Sequence, residues 1–365
     1  MATESPMENM VNFTFLKPFF EGKKVFLTGH TGFKGTWMLQ ILSMMGARVK
    51  GYALAPEHDE DLYHLVQGDT LCEQSVIGDI RNQEQLSEAL LDFRPDYIIH
   101  MAAQPLVLRG YQDPLYTFEV NTQGTAHVLD ALRRLPQDCV SIIVTTDKVY
   151  ENNDSGASFV ESDKLGGYDP YSASKAACEI IISSYRSSYF STSIPYTKPV
   201  VSVRAGNVIG GGDFADHRIV PDIIRAIQND QVLVLRNPDA IRPWQHVLEP
   251  LGIYLLLAAR SKQEALRFSK AFNIGPESDD VLTVEELTRL AIEMAGKGTY
   301  TIERSETQQH EAAILKLSIN KLKHELQWKP KFNAKEAVKE TLAWYLSEEE
   351  ASLKCQKQIQ DYFTK

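Results

Sequence analysis

The sequence predicts an α/β protein: a doubly wound parallel sheet with a smaller, discontinuous C-terminal α/β substrate lobe. An apolar, β-branched run at residues 24–28 leads through a glycine-rich turn into helical periodicity at 37–45. Strand-like and helical runs then alternate up to residue 204, which is the cadence of parallel strands joined by helices. A late strand-like run at 271–276 indicates that the chain returns to the main sheet before it ends.

The glycine-rich turn after the first strand is typical of a Rossmann-type dinucleotide site. Gly29 permits the tight turn, Gly32 lets backbone N–H groups approach a pyrophosphate, and Gly35 lets the helix lie close to the sheet. The N-terminal end of that helix directs its positive dipole at the phosphates. A glycine turn with a purely structural role is the alternative.

The following strands add candidate cofactor contacts. The strand at 48–54 ends without the acidic residue or the arginine that would distinguish NAD from NADP. Asp79 ends the next strand, where it can accept a hydrogen bond from an adenine amino group or cap a turn. Small residues end the strand at 96–103 and let a cofactor lie against the sheet edge. The candidate cofactor contacts in these segments are Gly29, Thr31, Gly32, Phe33, Gly35, Asp79, Ile80, Ala102, Ala103 and Gln104.

Tyr171 and Lys175 lie four residues apart in a predicted helix, so their side chains share one face. A neighbouring ammonium favours the phenolate and lowers a phenol pKa of about 10, which makes Tyr171 a candidate base toward an alcohol. An exposed helix face without function is the alternative. Thr146, Asp147 and Lys148 follow the fifth predicted strand, and ligands of such sheets bind at the carboxyl ends of the strands.

The second half of the sequence predicts a site for a small anion. A glycine-rich loop at 205–213 contains Asn207, which either contacts a substrate or only shapes a turn. Arginine suits a diphosphate because its planar fork donates paired hydrogen bonds to phosphate oxygens. The candidate arginines are Arg218, Arg236 and Arg242, with ordinary surface positions as the alternative for the first two.

Composition excludes several classes of function. The chain has 365 residues, and its formal charge of −10 argues against a nucleic-acid-binding surface. Its four cysteines show neither disulfide spacing nor metal-site spacing, and no apolar run is long enough to span a membrane. The first ten residues are polar and acidic, unlike a signal peptide. We therefore expect a cytoplasmic protein with reduced thiols and no bound metal.

The order of the segments predicts two domains between flexible, charged termini. The expected boundaries are 20–212 plus 244–275 for the dinucleotide domain, 213–243 plus 276–350 for the substrate lobe, and 1–19 with 351–365 for the termini. His246, near the junction of the two domains, is more consistent with a core position than with a catalyst.

Four segments and the Tyr171-x-x-x-Lys175 pair carry a resemblance to a known family. The segments are Gly29-His-Thr-Gly-Phe-Lys-Gly35, Thr145-Thr-Asp-Lys-Val-Tyr-Glu-Asn152, Arg204-Ala-Gly-Asn-Val-Ile-Gly-Gly-Gly-Asp213 and Arg242-Pro-Trp-Gln-His-Val-Leu-Glu-Pro250. Together they resemble the extended short-chain dehydrogenase/reductases that act on nucleotide sugars, and among these the 4,6-dehydratases of the CDP-glucose type. The resemblance extends over nearly the whole chain.

The resemblance implies a redox-neutral dehydration of CDP-D-glucose with NAD as a bound catalyst. C4 of the sugar is oxidised, water is eliminated across C5 and C6, and the hydride returns to C6. In this scheme Tyr171 accepts the C4 hydroxyl proton, Lys175 holds the nicotinamide ribose, and Thr146 hydrogen-bonds the C4 oxygen. Tyr171 and Lys175 are therefore implied cofactor contacts as well. Asp147 protonates the leaving C6 hydroxyl.

Lys148 is the candidate base at C5 and departs from part of the family. The dTDP-glucose relatives carry a glutamate at this position, whereas the CDP-glucose type carries lysine. A lysine serves as a base only when neutral, which requires desolvation or neighbouring positive charge, and Lys175 could supply that charge. A salt bridge from Lys148 to Asp147 or Glu151 is the structural alternative.

The resemblance also implies the substrate contacts and an assembly. The substrate contacts are Asn207, Arg218, Arg236, Arg242 and His310, with Arg242 at the diphosphate and His310 in a loop that contacts the base. A homodimer or homotetramer is expected through the helices around 114–135 and 170–190. The implied role is deoxysugar biosynthesis, as in lipopolysaccharide O-antigen.

Three other functions compete with this one. A 4-epimerase of the same fold needs no acid at C6, so Asp147 argues against it. UDP-N-acetylglucosamine dehydratases also use Asp-Lys but lack the tyrosine at position 171. A redox-sensing binding protein on the same scaffold needs none of these side chains, since a fold alone does not prove activity.

Overall fold

A seven-stranded parallel sheet forms the centre of the protein in the computed structural model, which describes residues 10–152, 156–192, 195–216, 218–303 and 315–364. The strands are β1 (Lys24–Thr28), β2 (Arg48–Ala53), β3 (Gln74–Ile77), β4 (Tyr97–His100), β5 (Val140–Val144), β6 (Val200–Ala205), β7 (Val208–Ile209), β8 (Val232–Leu235), β9 (Ile241–Arg242), β10 (Gln245–His246), β11 (Ala271–Ile274), β12 (Leu282–Thr283) and β13 (Thr299–Ile302). The order across the central sheet is β3-β2-β1-β4-β5-β6-β11.

Helices cover both faces of this sheet. They are α1 (Phe13–Phe20), α2 (Phe33–Met44), α3 (Leu62–Leu65), α4 (Gln83–Phe93), α5 (Val107–Gln112), α6 (Pro114–Phe118), α7 (Gly124–Arg134), α8 (Pro170–Tyr189), α9 (Ile219–Gln228), α10 (Leu248–Gln263), α11 (Ala265–Phe268), α12 (Val284–Ala295), α13 (Asn320–Leu326), α14 (Ala334–Leu346) and α15 (Ala351–Thr364). In the described part of the chain, none of these helices combines the length and the apolarity needed to cross a membrane.

The strand register and the burial agree with the predicted fold class, which is confirmed. All neighbouring strands of the central sheet are parallel, with Leu27 of β1 opposite Gly51 of β2 and Ile99 of β4. Strands β4 and β6 are buried along their whole length, because helices pack on both sides of a parallel sheet. One core contains α2 and α10, and the opposite core contains α4, α7 and α8.

The C-terminal lobe has its own small core and short strand pairs. Strand β8 pairs with β13 in parallel, and β9 pairs with β12 antiparallel. Helices α9, α12 and α14 pack together through Ile223, Leu287 and Val338. Strand β11 pairs with β6, so the chain re-enters the central sheet between the two parts of this lobe.

The expectation of flexible termini is wrong for the described terminal residues. Helix α15 buries Ile359, Tyr362 and Phe363 in the main core, and Tyr362 donates a hydrogen bond to Glu249 at 2.9 Å. Helix α1 buries Phe20 in the same core. The charged composition of the tail hid a helical apolar face, and burial of that face fixes the helix to the domain.

Candidate active site

The candidate active site lies at the carboxyl ends of β1, β4, β5 and β6, where helix α8 begins. Asp169 caps α8 by accepting hydrogen bonds from the backbone N–H groups of Tyr171 and Ser172, at 2.9 and 3.0 Å. Pro170 occupies the first helical position, where its missing N–H costs nothing. This cap fixes the start of α8 and therefore the direction in which Tyr171 enters the site.

Tyr171 and Thr146 meet at the centre of the site. Tyr171 is 8% exposed, and the hydroxyl of Thr146 lies close enough to its phenol to influence the pKa. Burial raises the pKa of Tyr171 to about 12, while the Thr146 hydroxyl works in the opposite direction. The fold therefore brings together two side chains that are 25 positions apart in the sequence.

The expected lowering of the Tyr171 pKa is contradicted by this geometry. Lys175 donates its hydrogen bond to the Val144 carbonyl at the end of β5, with Nζ and O 3.3 Å apart. Burial lowers the pKa of Lys175, although the neighbouring Cys178 and Glu179 act against that effect. Desolvation of the phenol outweighs the opposing effects of Thr146 and of the positive charge on Arg218, so the pKa of Tyr171 rises.

Asp147 and Lys148 complete the group of predicted catalytic residues. Thr146 Oγ1 donates a hydrogen bond to Asp147 Oδ1 at 2.9 Å, while Asp147 Oδ2 is buried and has no hydrogen-bond partner among the described residues. Lys148 Nζ lies 3.9 Å from Asp147 Oδ1, at the outer limit for an ion pair. Glu151 pairs with Lys164 instead, at 2.6 Å. Of the two salt bridges considered for Lys148, only the one to Asp147 is therefore present.

A buried carboxylate ties α8 to the two strands beside it. Glu179 lies one turn beyond Lys175. It accepts hydrogen bonds from Thr145 Oγ1 at 2.6 Å, from Ser202 Oγ at 2.9 Å and from Arg204 Nη2 at 2.9 Å. Burial opposes ionisation, but the charge and the hydrogen bonds of Arg204 prevail and lower the pKa of Glu179. The strand ends and the helix are thereby held in one arrangement.

The glycine turn fits the pyrophosphate of a dinucleotide. Gly29 has φ +75°, and a Cβ there would lie 2.7 Å from the Ala102 backbone nitrogen. A Cβ at Gly35 would lie 1.9 Å from the Gly29 carbonyl oxygen, so α2 approaches the turn as closely as the sequence predicts. At Gly32 the nearest such atom is 3.6 Å away, which leaves that side of the turn open for a ligand.

Other predicted cofactor residues surround this turn, and some have protein partners. Thr31 Oγ1 donates to the Leu54 carbonyl at 2.8 Å, and Ala102 N donates to Thr28 Oγ1 at 3.1 Å. Phe33 is half-buried, Ala103 is half-buried and Ile80 is buried. The amide of Gln104 donates to the Leu106 carbonyl and to Thr117, so this side chain shapes the loop after β4.

Asp79 performs the alternative role that the sequence suggests for it. Its Oδ1 accepts a hydrogen bond from the Arg81 backbone N–H at 2.9 Å, and its Oδ2 pairs with the Arg81 guanidinium at 2.7 Å. Burial opposes its ionisation, but the hydrogen bonds from Arg81 prevail and lower the pKa of the carboxyl. Asp79 therefore caps this turn, and its contact with an adenine stays a prediction.

Lys34 is a half-buried lysine of the site that the sequence analysis overlooks. Its Nζ donates a hydrogen bond to the buried phenol of Tyr254 at 2.9 Å. Burial lowers the pKa of Lys34 to about 7, and the positive charges of Lys175 and Arg218 add to that effect. A lysine between two glycines of the phosphate-binding turn was the available signal, but its partner lies 220 positions away.

The three arginines predicted to bind the substrate lie in different surroundings. Arg218 pairs with Asp213 at 2.7 Å and is close enough to Tyr171 to influence its pKa. Arg242 is buried and donates to the Ile241 carbonyl at 3.0 Å, whereas Arg236 is exposed on the lobe surface. His310 lies outside the described residues.

A small cleft lies beside the Asp147 carboxylate. It is lined by Gly206, Pro243, Ile274 and Lys316, among others. A Cβ at Gly206 would lie 2.6 Å from Asp147 Oδ2, so this glycine separates the cleft from the carboxylate. Asn207, the next residue, accepts a hydrogen bond from Gln245 N through its carbonyl.

His246 lies in the core between the two lobes. It is fully buried, and its ring makes edge-to-face contacts with Trp37 and Phe332. Burial lowers its pKa to about 3, so the imidazole is neutral. No group of three or more metal-ligating side chains suited to an ion occurs in the described ranges.

Comparison with known proteins places this geometry among nucleotide-sugar enzymes. The model of the family described as GDP-mannose 4,6 dehydratase matches residues 26–341. The chain is 40% identical over 353 residues to a CDP-glucose 4,6-dehydratase of Salmonella typhimurium, covering 95% of this chain and 98% of the relative.

Two solved structures share the fold. A UDP-glucose 4-epimerase of Thermus thermophilus in complex with NAD has a TM-score of 0.74 at 25% identity, with 89% of this chain and all of that chain covered. A dTDP-glucose 4,6-dehydratase of Streptomyces venezuelae with NAD bound also has a TM-score of 0.74, at 23% identity. The latter covers 88% of this chain and 96% of that chain.

Proposed function

Because the chain belongs to the GDP-mannose 4,6 dehydratase family, we propose that it is an NAD-dependent CDP-D-glucose 4,6-dehydratase, a hydro-lyase. The predicted membership of the nucleotide-sugar dehydratases is confirmed by the family match and by the 40% identical relative. The product is CDP-4-dehydro-6-deoxy-D-glucose, and water is released. The choice of CDP-glucose rests on that relative, whose length is matched almost completely.

One observation carries the proposal beyond a generic alcohol oxidation. The Thr146 hydroxyl donates a hydrogen bond to the Asp147 carboxylate and lies close enough to the Tyr171 phenol to influence its pKa. A base for the C4 hydroxyl and an acid for the C6 hydroxyl therefore adjoin each other within one buried site. An epimerase has no use for the second group, and a binding protein has no use for either.

The residues of the glycine turn suit the cofactor that this reaction needs. Bound NAD supplies the hydride acceptor for C4 and the hydride donor for C6. The backbone at Gly29, Gly32 and Gly35 would hold its pyrophosphate, and Lys175 would hold its nicotinamide ribose. Asp79 remains a proposed contact for the adenine.

The protein side chains move protons and hold the substrate. Tyr171 accepts the C4 hydroxyl proton, Asp147 protonates the C6 hydroxyl, and Lys148 removes the C5 proton once C4 is a ketone. The side chain of Lys148 is 19% exposed and reaches toward the same carboxylate, which supports a role at the neighbouring carbon. Arg218 and Arg242 bind the diphosphate, because they lie on the lobe that adjoins the cleft.

A dimer and a cytoplasmic location complete the proposal. Leu115 and Phe118 on α6 and Ile180 and Tyr189 on α8 are exposed apolar side chains, which supports pairing of these helices with a second copy. The enzyme would act in deoxysugar biosynthesis, for example of lipopolysaccharide O-antigen.

A panel of activated sugars tests the proposed function. We expect the purified protein to form a 4-keto-6-deoxy sugar from CDP-glucose, and to act far more slowly on dTDP-glucose, GDP-mannose and UDP-glucose. Formation of a C4 epimer would indicate an epimerase. Absence of turnover with every sugar, while NAD is bound, would contradict the proposal.

A further inference from the structure

The short turn that carries the proposed acid and base of the elimination is followed by a buried tyrosine. Asp147 and Lys148 lie in one helical turn of three residues directly after β5, and Tyr150 is the next residue in the chain. We propose that Tyr150 is a positioning residue, which holds Asp147 and Lys148 in place for the elimination step. The inference rests on the proposed function, because that function gives Asp147 and Lys148 their roles.

Two hydrogen bonds fix the hydroxyl of Tyr150. It accepts one from Arg204 Nη1 at 2.8 Å and donates the other to Asn273 Oδ1 at 2.6 Å. Because a guanidinium only donates, the single phenol proton is free for Asn273. Burial raises the pKa of Tyr150 to about 12, so the phenol keeps this proton at neutral pH. The Asn273 amide is itself oriented, because its Nδ2 donates to the Phe159 carbonyl at 2.9 Å.

Ring contacts fix the plane of the same side chain. The ring of Phe159 lies parallel to the Tyr150 ring, with an interplanar angle of 1° and centroids 4.8 Å apart. The guanidinium carbon of Arg204 lies 5.1 Å from the centroid of the Tyr150 ring, within the range of a cation–π contact. The backbone before it is held as well, because the Val149 carbonyl accepts a hydrogen bond from Gly166 N at 2.9 Å. The point at which the chain leaves the turn is therefore fixed.

Arg204 connects this anchor to the point at which the chain enters the turn. Its Nη2 donates to Glu179 Oε2 at 2.9 Å, and Glu179 Oε1 accepts a hydrogen bond from Thr145 Oγ1 at 2.6 Å. One guanidinium therefore links Tyr150 after the turn with Thr145 before it. All four side chains belong to residues that are 5% exposed or less, so water does not compete for these hydrogen bonds.

The anchor at Tyr150 affects the two chemical steps unequally. Tyr171, the proposed base of the oxidation, is positioned by the Asp169 cap at the start of α8. Asp147 and Lys148, the proposed acid and base of the elimination, depend instead on the turn that Tyr150 ends. Because a misplacement of about 1 Å can cost about 10²-fold in rate, loss of this anchor slows the elimination more than the oxidation.

The Tyr150→Phe variant tests this role, because it removes the hydroxyl and keeps the ring against Phe159. The variant is assayed with CDP-glucose, which requires both steps, and with CDP-6-deoxyglucose, which has no C6 hydroxyl to eliminate. With the second sugar, C4 gives its hydride to bound NAD and its hydroxyl proton to Tyr171, and the reaction ends there as the 4-keto sugar. Absorbance of the reduced nicotinamide then measures the rate of oxidation alone.

Two further variants complete the comparison. Tyr362→Phe is the matched control, because it removes a buried phenol that donates to Glu249 at 2.9 Å outside the site. Asn273→Ala removes the acceptor of the Tyr150 hydroxyl and replaces Tyr150→Phe if that variant folds poorly. Thermal unfolding checks that every variant is folded at the temperature of the assay.

The positioning role predicts a loss that is confined to the elimination. Tyr150→Phe should lose about tenfold or more of its turnover with CDP-glucose, while its rate of nicotinamide reduction by CDP-6-deoxyglucose stays within about twofold of the parent enzyme. Equal losses with the two sugars, or undiminished turnover with CDP-glucose, would overturn the role of Tyr150. Failure of the unmodified enzyme on CDP-glucose would overturn the proposed function instead.

Discussion

Tyr171 is the proposed base of the first chemical step, and its environment favours the neutral phenol. The sequence predicts an ammonium beside it, but Lys175 Nζ donates its hydrogen bond to the Val144 carbonyl. Burial raises the pKa of the phenol to about 12, so a lasting phenolate is costly at this position.

The Tyr171→Phe variant tests the assignment of this base. We expect turnover to fall by about 10²-fold or more, because the proposed mechanism gives the C4 proton to this phenol. Binding of CDP-glucose, measured by calorimetry, should change little, since only one oxygen atom is removed. The control is Tyr362→Phe, which removes a buried phenol bonded to Glu249 outside the site. A Tyr171→Phe enzyme with most of its activity would refute the assignment.

Lys34 gives the site a pH-dependent contribution to stability. Its pKa is lowered from 10.5 to about 7 in the folded protein, so the unfolded chain binds more protons between these values. The free energy of unfolding contributed by this group therefore rises with pH across that window. Lys34→Met should stabilise the protein at about pH 6 and lose that advantage near pH 10.

Urea unfolding of the parent protein and of Lys34→Met at those two pH values measures the effect. Lys17→Met is a suitable control, because Lys17 is an exposed lysine on α1 with only a loose ion pair to Glu21. A stability difference between parent and Lys34→Met that is the same at both pH values would show that the Lys34 ammonium is not disfavoured by folding.

At the scale of single residues, the sequence predicts the positions of the candidate site residues better than it predicts their hydrogen bonds. Tyr171, Thr146 and Asp147 can be located because strand ends and helical spacing bring them to one edge of the sheet. The bond from Lys34 to Tyr254 could not be predicted, because it joins α2 to α10 through a side-chain contact that no local pattern encodes.

At the scale of elements, the glycine turn between β1 and α2 makes two separable predictions. Gly35→Ala should destabilise the protein by about 1–3 kcal/mol or more, because its Cβ would lie 1.9 Å from the Gly29 carbonyl oxygen. Gly32→Ala should leave stability nearly unchanged, since its Cβ has 3.6 Å of space. That methyl group would nevertheless weaken NAD binding by obstructing the open side of the turn.

Thermal unfolding and NAD titration of both variants check this separation. The expected result is a lowered melting temperature for Gly35→Ala and a normal one for Gly32→Ala, with weakened NAD binding in the latter. Unchanged NAD affinity in Gly32→Ala would mean that the dinucleotide does not lie over this turn. An equally stable Gly35→Ala would mean that α2 can move away from β1.

Elements differ in how far the sequence predicts them. The glycine turn is predictable because three glycines in a fixed spacing follow a β-branched strand. Helix α15 is not, because charged residues between its buried positions resemble a disordered tail. Its burial depends on contacts with α10 and the N-terminal segment that exist only in the folded chain. One of them joins Phe13 and Phe363, whose ring centroids are 5.1 Å apart.

At the scale of the whole molecule, the fold brings the proposed oxidising site and the proposed sugar-nucleotide cleft to the same place. The return of the chain through β11 beside β6 puts the cleft residues Ile274 and Gly275 next to Gly206, and so next to Asp147. The sequence predicts this return from one apolar run at 271–276. The position of the cleft follows only from the packing of the lobes.

The fate of the C4 hydrogen tests the central claim most directly. The enzyme is incubated with CDP-glucose that carries deuterium at C4, and the product is analysed by mass spectrometry and NMR. We predict that the deuterium appears at C6 of the 4-keto-6-deoxy product, while C5 acquires a hydrogen from solvent. Deuterium lost to solvent, or retained at C4, would contradict a dehydration in which one bound NAD takes the hydride from C4 and returns it to C6.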